Sequence, residues 1–225
     1  MTPRATSASA KDKAAKSAET KQKLVDGALR TLVEQGIAKT SARSIAAAAG
    51  VNQALVFYHF GSVDELLAET CRYASEQRVA LYRERLDRIE TLADLLVFGR
   101  EMHERESADG HVAVLAQLLA GAQTHPPLAP ATAAGLDLWI AEIEKVLVRV
   151  LSASPLGEFA DPVGLARAVS ASFVGIELYE GVDPAGAERA LAALEQLSVL
   201  VAAVEELGPI AQRAVRHRLR KTVRK

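Results

Sequence analysis

Residues 40–67 read TSARSIAAAAGVNQALVFYHFGSVDELL, and this stretch decides the fold. Thr40 or Ser41 caps a short helix through about Ala48, because a hydroxyl there accepts from a free first-turn amide. Ala49-Gly50-Val51-Asn52 makes a tight turn. Gln53 to Phe60 forms a second short helix, which Gly61 breaks. Ser62-Val63-Asp64-Glu65 is a capping box, with Asp64 and Glu65 at the positive end of a long helix that runs to about Ile89. Helix, glycine turn and short helix together are the signature of a DNA-reading helix-turn-helix. Ala46, Ala47, Ala49 and Gly50 are small enough for the two short helices to pack closely.

Upstream, Leu24, Val25, Ala28, Leu29, Leu32 and Val33 form an apolar stripe at helical spacing, and Gly36 supplies the left-handed stop. The spacing predicts a small core of Ile45, Val51, Val56 and Phe60 against Leu24, Ala28 and Leu32. Arg43, Gln53, Ala54, Phe57 and His59 are left more exposed. Tyr58 is expected to pack between helices rather than meet DNA. Residues 1–18, rich in Ala, Lys, Ser and Thr, read as a disordered basic tail.

The stretch closely resembles the DNA-binding domain of the TetR family over about residues 20–70. The resemblance lies in the Thr/Ser-capped helix, the Ile-Ala pair, Gly-Val at the turn and an aromatic run ending in Phe. A segment opening the fourth helix completes it. The resemblance implies that Thr40 and Ser41 meet phosphate and that Arg43 reaches base edges or backbone. It implies that Asn52, Gln53, Ala54 and Leu55 begin the recognition helix in the major groove. There Gln53 can pair bidentately with adenine, while Ala54 and Leu55 can touch thymine methyls. It also implies that Phe57 and His59 pack on the sugar-phosphate backbone and that Ser62 stands with the DNA-facing residues. Two positions depart from the family pattern. Phe57 lacks the hydroxyl of the usual Tyr, and Val63 replaces a phosphate-binding Lys.

Helices are expected after the head at about 91–107, 111–123, 128–152, 162–180 and 184–207, separated by Gly- and Pro-containing breaks. The expected class is therefore all-α. The domains are a basic tail (1–18), a helix-turn-helix head (19–66), a helical ligand-binding and dimerisation domain (67–208) and a second basic tail (209–225). The last two long helices fit the family's dimer-forming pair, with Phe173, Leu194, Leu197, Val201 and Val204 at the interface. Polar and aromatic groups among apolar helices make candidate pocket residues of Tyr82, His103, Gln117, Trp139, Phe173 and Glu177. A buried Glu177 must be paired or neutral, which suits a cationic or hydroxylated ligand.

The formal net charge of −1 is unevenly spread. Residues 1–30 hold seven Lys/Arg against three acids, and residues 211–225 hold seven and none. Two basic ends therefore flank an acidic middle, a pattern that solvation or contact with nucleic acid explains. A single cysteine, Cys71, excludes a disulfide framework and a cysteine-rich zinc site. No His spacing marks a metal motif, and no cofactor is expected. No paired catalytic carboxylates, nucleophile motif or phosphate loop points to an enzyme. The absence of a secretory leader or a membrane-length apolar run makes a cytoplasmic protein the expectation. The partners expected are a double-stranded DNA operator, a second copy of the chain and a small-molecule effector of unknown identity, with no membrane. An alternative is an all-helical interaction module whose basic ends bind protein or a membrane surface.

Overall fold

Every regular element of the computed structural model, which describes residues 5–154 and 157–223, is helical. The order is α1 (Ala5–Gln35), α2 (Ala42–Ala49), α3 (Ala54–Phe60), α4 (Val63–Asp87), α5 (Leu92–Asp109), α6 (His111–Thr124), α7 (Ala129–Ala153), α8 (Pro162–Glu180), α9 (Pro184–Glu205) and α10 (Pro209–Val223). The all-α expectation holds. Both ends depart from the reading as tails. α1 already begins at Ala5, because Ala, Lys and Glu are strong helix formers. α10 carries most of the C-terminal basic segment. Residues 1–4 and 224–225 of those two segments lie outside the described residues.

The chain forms two compact units. The first runs to Ala74 and also takes in Gln117–Ala134. A break at residue 66 therefore falls inside it, and α4 and α6 each contribute to both units. Leu24, Ala28, Leu32, Ile45, Val56 and Leu66 are fully buried in its core. Val51 and Phe60, expected beside them, are only half-buried, and Val33 is exposed.

A close approach in the first unit joins α1 and α2, at a residue the apolar pattern did not mark. A Cβ on Gly27 would stand 2.8 Å from Ala49 Cβ and 2.9 Å from the Ile45 carbonyl oxygen. Neither neighbour is a flexible side chain that can swing away. Gly27→Ala gains about 1 kcal/mol of helix propensity but incurs about 1–3 kcal/mol of overpacking. The expected result is a loss of up to about 2 kcal/mol, read by thermal unfolding followed by circular dichroism. A raised midpoint contradicts the close packing.

The second unit holds Ser75–Ala116 and the chain from Gly135 onward. Its core joins Tyr82 and Leu86 of α4, Phe98 and Met102 of α5, and Ile143, Val146 and Leu147 of α7. α5 packs on α8 and α9, which also pack on each other. Arg149 donates to the Leu86 and Ile89 carbonyl oxygens at 2.6 and 2.9 Å, satisfying the end of α4.

Candidate nucleic-acid interface and ligand cavity

The reading head is shaped by short-range hydrogen bonds. Ser41, not Thr40, caps α2. Its hydroxyl accepts from the Ser44 amide at 3.2 Å, and its own amide donates to Ser44 Oγ at 2.9 Å. Thr40 instead donates its hydroxyl to the Gly36 carbonyl at 2.9 Å. Gly50 ends α2 with φ 66° and ψ 33°, a left-handed conformation that glycine adopts without strain. Asn52 Oδ1 accepts from the Ala54 amide at 2.8 Å, so its carbonyl is engaged in shaping the turn.

Gln53 and Ala54 are left exposed at the start of α3, with Leu55 half-buried behind them and Arg43 exposed on α2. Along α3, Val56 is buried and Phe57 is 50% exposed. Tyr58 is 75% exposed, which overturns its assignment to packing. With Val56 committed to the core, the residue two positions on faces away from it, because a helix turns by 3.6 residues. Tyr58 meets His59 edge-on, with ring centroids 4.9 Å apart. The hydroxyl missing at Phe57 is thus available one residue later. Ser62 Oγ accepts from the Glu65 amide at 3.1 Å, starting α4 beside a half-buried Val63. The first unit therefore presents a guanidinium, an amide, a phenol and an imidazole from two short helices, the first closed by a capping box. These groups match base edges and phosphate oxygens.

The second unit holds a partly open cavity of about 70 Å³. Leu95, Phe98 and Met102 of α5, Val112 and Leu115 of α6, and Ile143 of α7 supply apolar walls. Two expected pocket residues, Trp139 and Phe173, line it. Two polar groups that the residue pattern did not single out line it as well. Ser170 is 7% exposed, and its hydroxyl makes no hydrogen bond within the chain. Glu106 is 1% exposed. It accepts from the Tyr82 hydroxyl at 2.5 Å and pairs with Arg78 at 3.3 Å.

The other expected pocket residues stand elsewhere. Tyr82 packs on Phe98 and Trp139. Burial raises its hydroxyl's pKa well above the ordinary value, and the hydrogen bond to Glu106 raises it further. His103 contacts Phe173 edge-on, and its Nδ1 lies 2.6 Å from Glu177. Gln117 belongs to the first unit, where its Oε1 accepts from the Ile37 amide at 3.0 Å. It clamps the turn after α1 rather than facing a ligand.

Among the interface candidates, Leu197 is 55% exposed, whereas Leu194, Val201 and Val204 are half-buried and Phe173 faces the cavity. Val199 and Leu200 are more exposed, at 66% and 64%. The described residues hold no helix long and apolar enough to cross a membrane.

The family model for bacterial regulatory proteins of the tetR family matches residues 24–70. The HTH-type transcriptional regulator AcrR of Shigella flexneri is 41% identical over 51 residues, which span 23% of this chain and 24% of that protein. The match therefore spans about a quarter of this curated relative's length. Solved structures extend the likeness beyond the head. A TetR-family transcriptional regulator from Rhodococcus sp. covers 82% of this chain and 98% of its own, with a TM-score of 0.67 at 21% identity. The multidrug binding protein EbrR, complexed with imidazole, covers 77% and 93%, with a TM-score of 0.55 at 27% identity. The capped head with its left-handed glycine turn, residues 24–70, thus matches the DNA-binding domain of the tetR family of bacterial regulatory proteins, and the chain as a whole shares its fold with solved regulators of that family.

Proposed function

We propose that the chain is a transcriptional repressor that binds a palindromic operator as a homodimer and is released by a small molecule. The observation that carries this reading is the exposed row Arg43, Gln53, Ala54, Phe57 and Tyr58 on two short helices joined by a tight glycine turn. Such a row has no packing purpose in a head whose core is already filled by Ile45 and Val56. Selection of bound duplexes from a random pool tests it. Enrichment of inverted half-sites about one helical turn or slightly more apart is expected, and failure to enrich a palindrome removes the proposal. Gln53→Ala is expected to change the preferred base and cost about 1–3 kcal/mol on the best site. Equal loss on specific and scrambled duplexes shows that Gln53 does not read bases.

Dimerisation is supported by the apolar side chains that α8, α9 and the turn between them leave uncovered, among them Leu178, Val182, Leu197, Val199 and Leu200. The effector reading rests on the cavity. Its apolar walls, the Ser170 hydroxyl without a partner and the Glu106 carboxylate suit a small, mostly apolar molecule carrying a hydrogen-bonding or cationic group. EbrR was solved with imidazole and with proflavin, which is in keeping with such a ligand. α6 supplies the route of coupling. Val112 and Leu115 in its first half line the cavity, and Gln117 in its second half holds the turn after α1. Coupling must be reciprocal, so operator binding weakens effector binding by the same factor.

The exposed Lys11, Lys13 and Lys16 on the early turns of α1 are suited to phosphate contact and make up for the lysine that Val63 replaces. Two lysines used by each of two chains add about 3.6 to the salt slope of log affinity. Deleting residues 1–19 is expected to lower affinity and flatten that slope, with the preferred sequence unchanged. Titrations at several salt concentrations measure it, and an unchanged slope leaves the segment without a role on DNA.

A further inference from the structure

The His103 ring on α5 lies between two carboxylates one turn apart on α8. Nδ1 is 2.6 Å from Glu177 Oε1, and Nε2 is 3.5 Å from Glu180 Oε2. His103 and Glu177 are almost wholly buried and Glu180 is half-buried, so all three are partly or fully shielded from water. A ring nitrogen and a carboxylate oxygen at 2.6 Å must share a proton, since two lone pairs repel at that distance. Nδ1–H therefore donates to Glu177. Nε2 faces Glu180 across a gap too long for a strong hydrogen bond.

That gap has the size of a metal's bite. Zinc lies about 2.05 Å from an imidazole nitrogen and about 2.1 Å from a carboxylate oxygen, and the tetrahedral angle then separates the two ligands by about 3.4 Å. A carboxylate holding the far ring nitrogen is the usual support of a metal-bound histidine. We propose that His103 Nε2 and a Glu180 oxygen bind a divalent transition-metal ion of the zinc class, with Glu177 as the residue that positions the imidazole. The nitrogen ligand disfavours magnesium and calcium. Water completes the coordination shell. The ion ties α5 to α8 next to Phe173, whose ring contacts His103 and lines the cavity.

Titration of the full chain with Co2+, followed by visible absorption and by imidazole nitrogen NMR, tests the proposal. One Co2+ per chain is expected, displaced by Zn2+, and Zn2+ shifts the His103 Nε2 resonance while Nδ1 keeps its proton. Glu180→Gln and His103→Gln are expected to weaken binding at least tenfold. Glu177→Gln weakens it about 10–100-fold, as loss of a supporting carboxylate does. Glu104→Gln, an exposed carboxylate on the same helix, leaves it unchanged. No uptake at millimolar Co2+, or uptake unaltered by Glu180→Gln, overturns the site. An unshifted His103 Nε2 in the unmodified protein overturns it too, whether or not the variants fold.

Discussion

Leu197→Glu combined with Leu200→Glu is expected to leave the protein monomeric at micromolar concentration and to lower operator affinity at least a hundredfold. Both side chains are more than half exposed in the single chain, at 55% and 64%. Substitutions at such positions ordinarily change the stability of the unit within about 0.5 kcal/mol. In a symmetric α8–α9 interface the same pair brings two carboxylates from each chain into an apolar contact. One unpaired buried charge costs about 3–5 kcal/mol, and about 2.8 kcal/mol already corresponds to a hundredfold. Sedimentation reads the assembly and fluorescence anisotropy the affinity. A dimer that survives the double substitution places the interface elsewhere.

Glu106→Leu is expected to be the most destabilising single change in the second unit. The carboxylate is 1% exposed, accepts from a Tyr82 hydroxyl that is itself buried, and pairs with Arg78. Leucine fills similar space but leaves the Tyr82 hydroxyl without its acceptor and removes a negative charge facing Arg78. Breaking a buried pair on one side costs about 3–5 kcal/mol, and at this chain length each kcal/mol lowers the unfolding midpoint by roughly 2–4 °C. A fall of roughly 10 °C is therefore expected. Tyr82→Phe removes only the hydroxyl and is expected to cost about 1–3 kcal/mol. Scanning calorimetry of the two variants against the parent checks the order. Equal midpoints for Glu106→Leu and the parent show that the network adds no stability.

The head is legible in the sequence because its determinants are local. Ser41, Gly50 and Ser62 act within three or four residues of themselves, and the apolar spacing of Leu24, Ala28 and Leu32 names one helix face. Tyr58 is not legible in this way, because a run of three aromatics and a histidine does not say which member turns inward. Only the commitment of Val56 to the core settles that. Gly27 escapes the apolar pattern because its reason lies across the helix pair, at Ala49. In the second unit the informative pairs are far apart in the chain. Tyr82 and Glu106 are 24 residues apart, and His103 and Glu177 are 74 apart. Periodicity marks which residues face inward on each helix but not which helices face each other. Gln117 illustrates the cost: its position among apolar residues suggests a ligand, whereas its partner is a backbone amide in the turn after α1.

On the effector reading, the size of the cavity sets what kind of molecule acts as a signal. About 70 Å³ is roughly half of what an engineered cavity offers to benzene. A molecule no larger than the present space can enter without displacing any wall. Anything bulkier must extend through the open side or press on its surroundings, and Val112 and Leu115 are part of those surroundings. They share α6 with Gln117, whose side chain holds the turn after α1. On the effector reading proposed above, the pocket is expected to answer to molecular volume: chemically diverse compounds above a threshold size elicit one response, while smaller congeners of similar polarity bind silently.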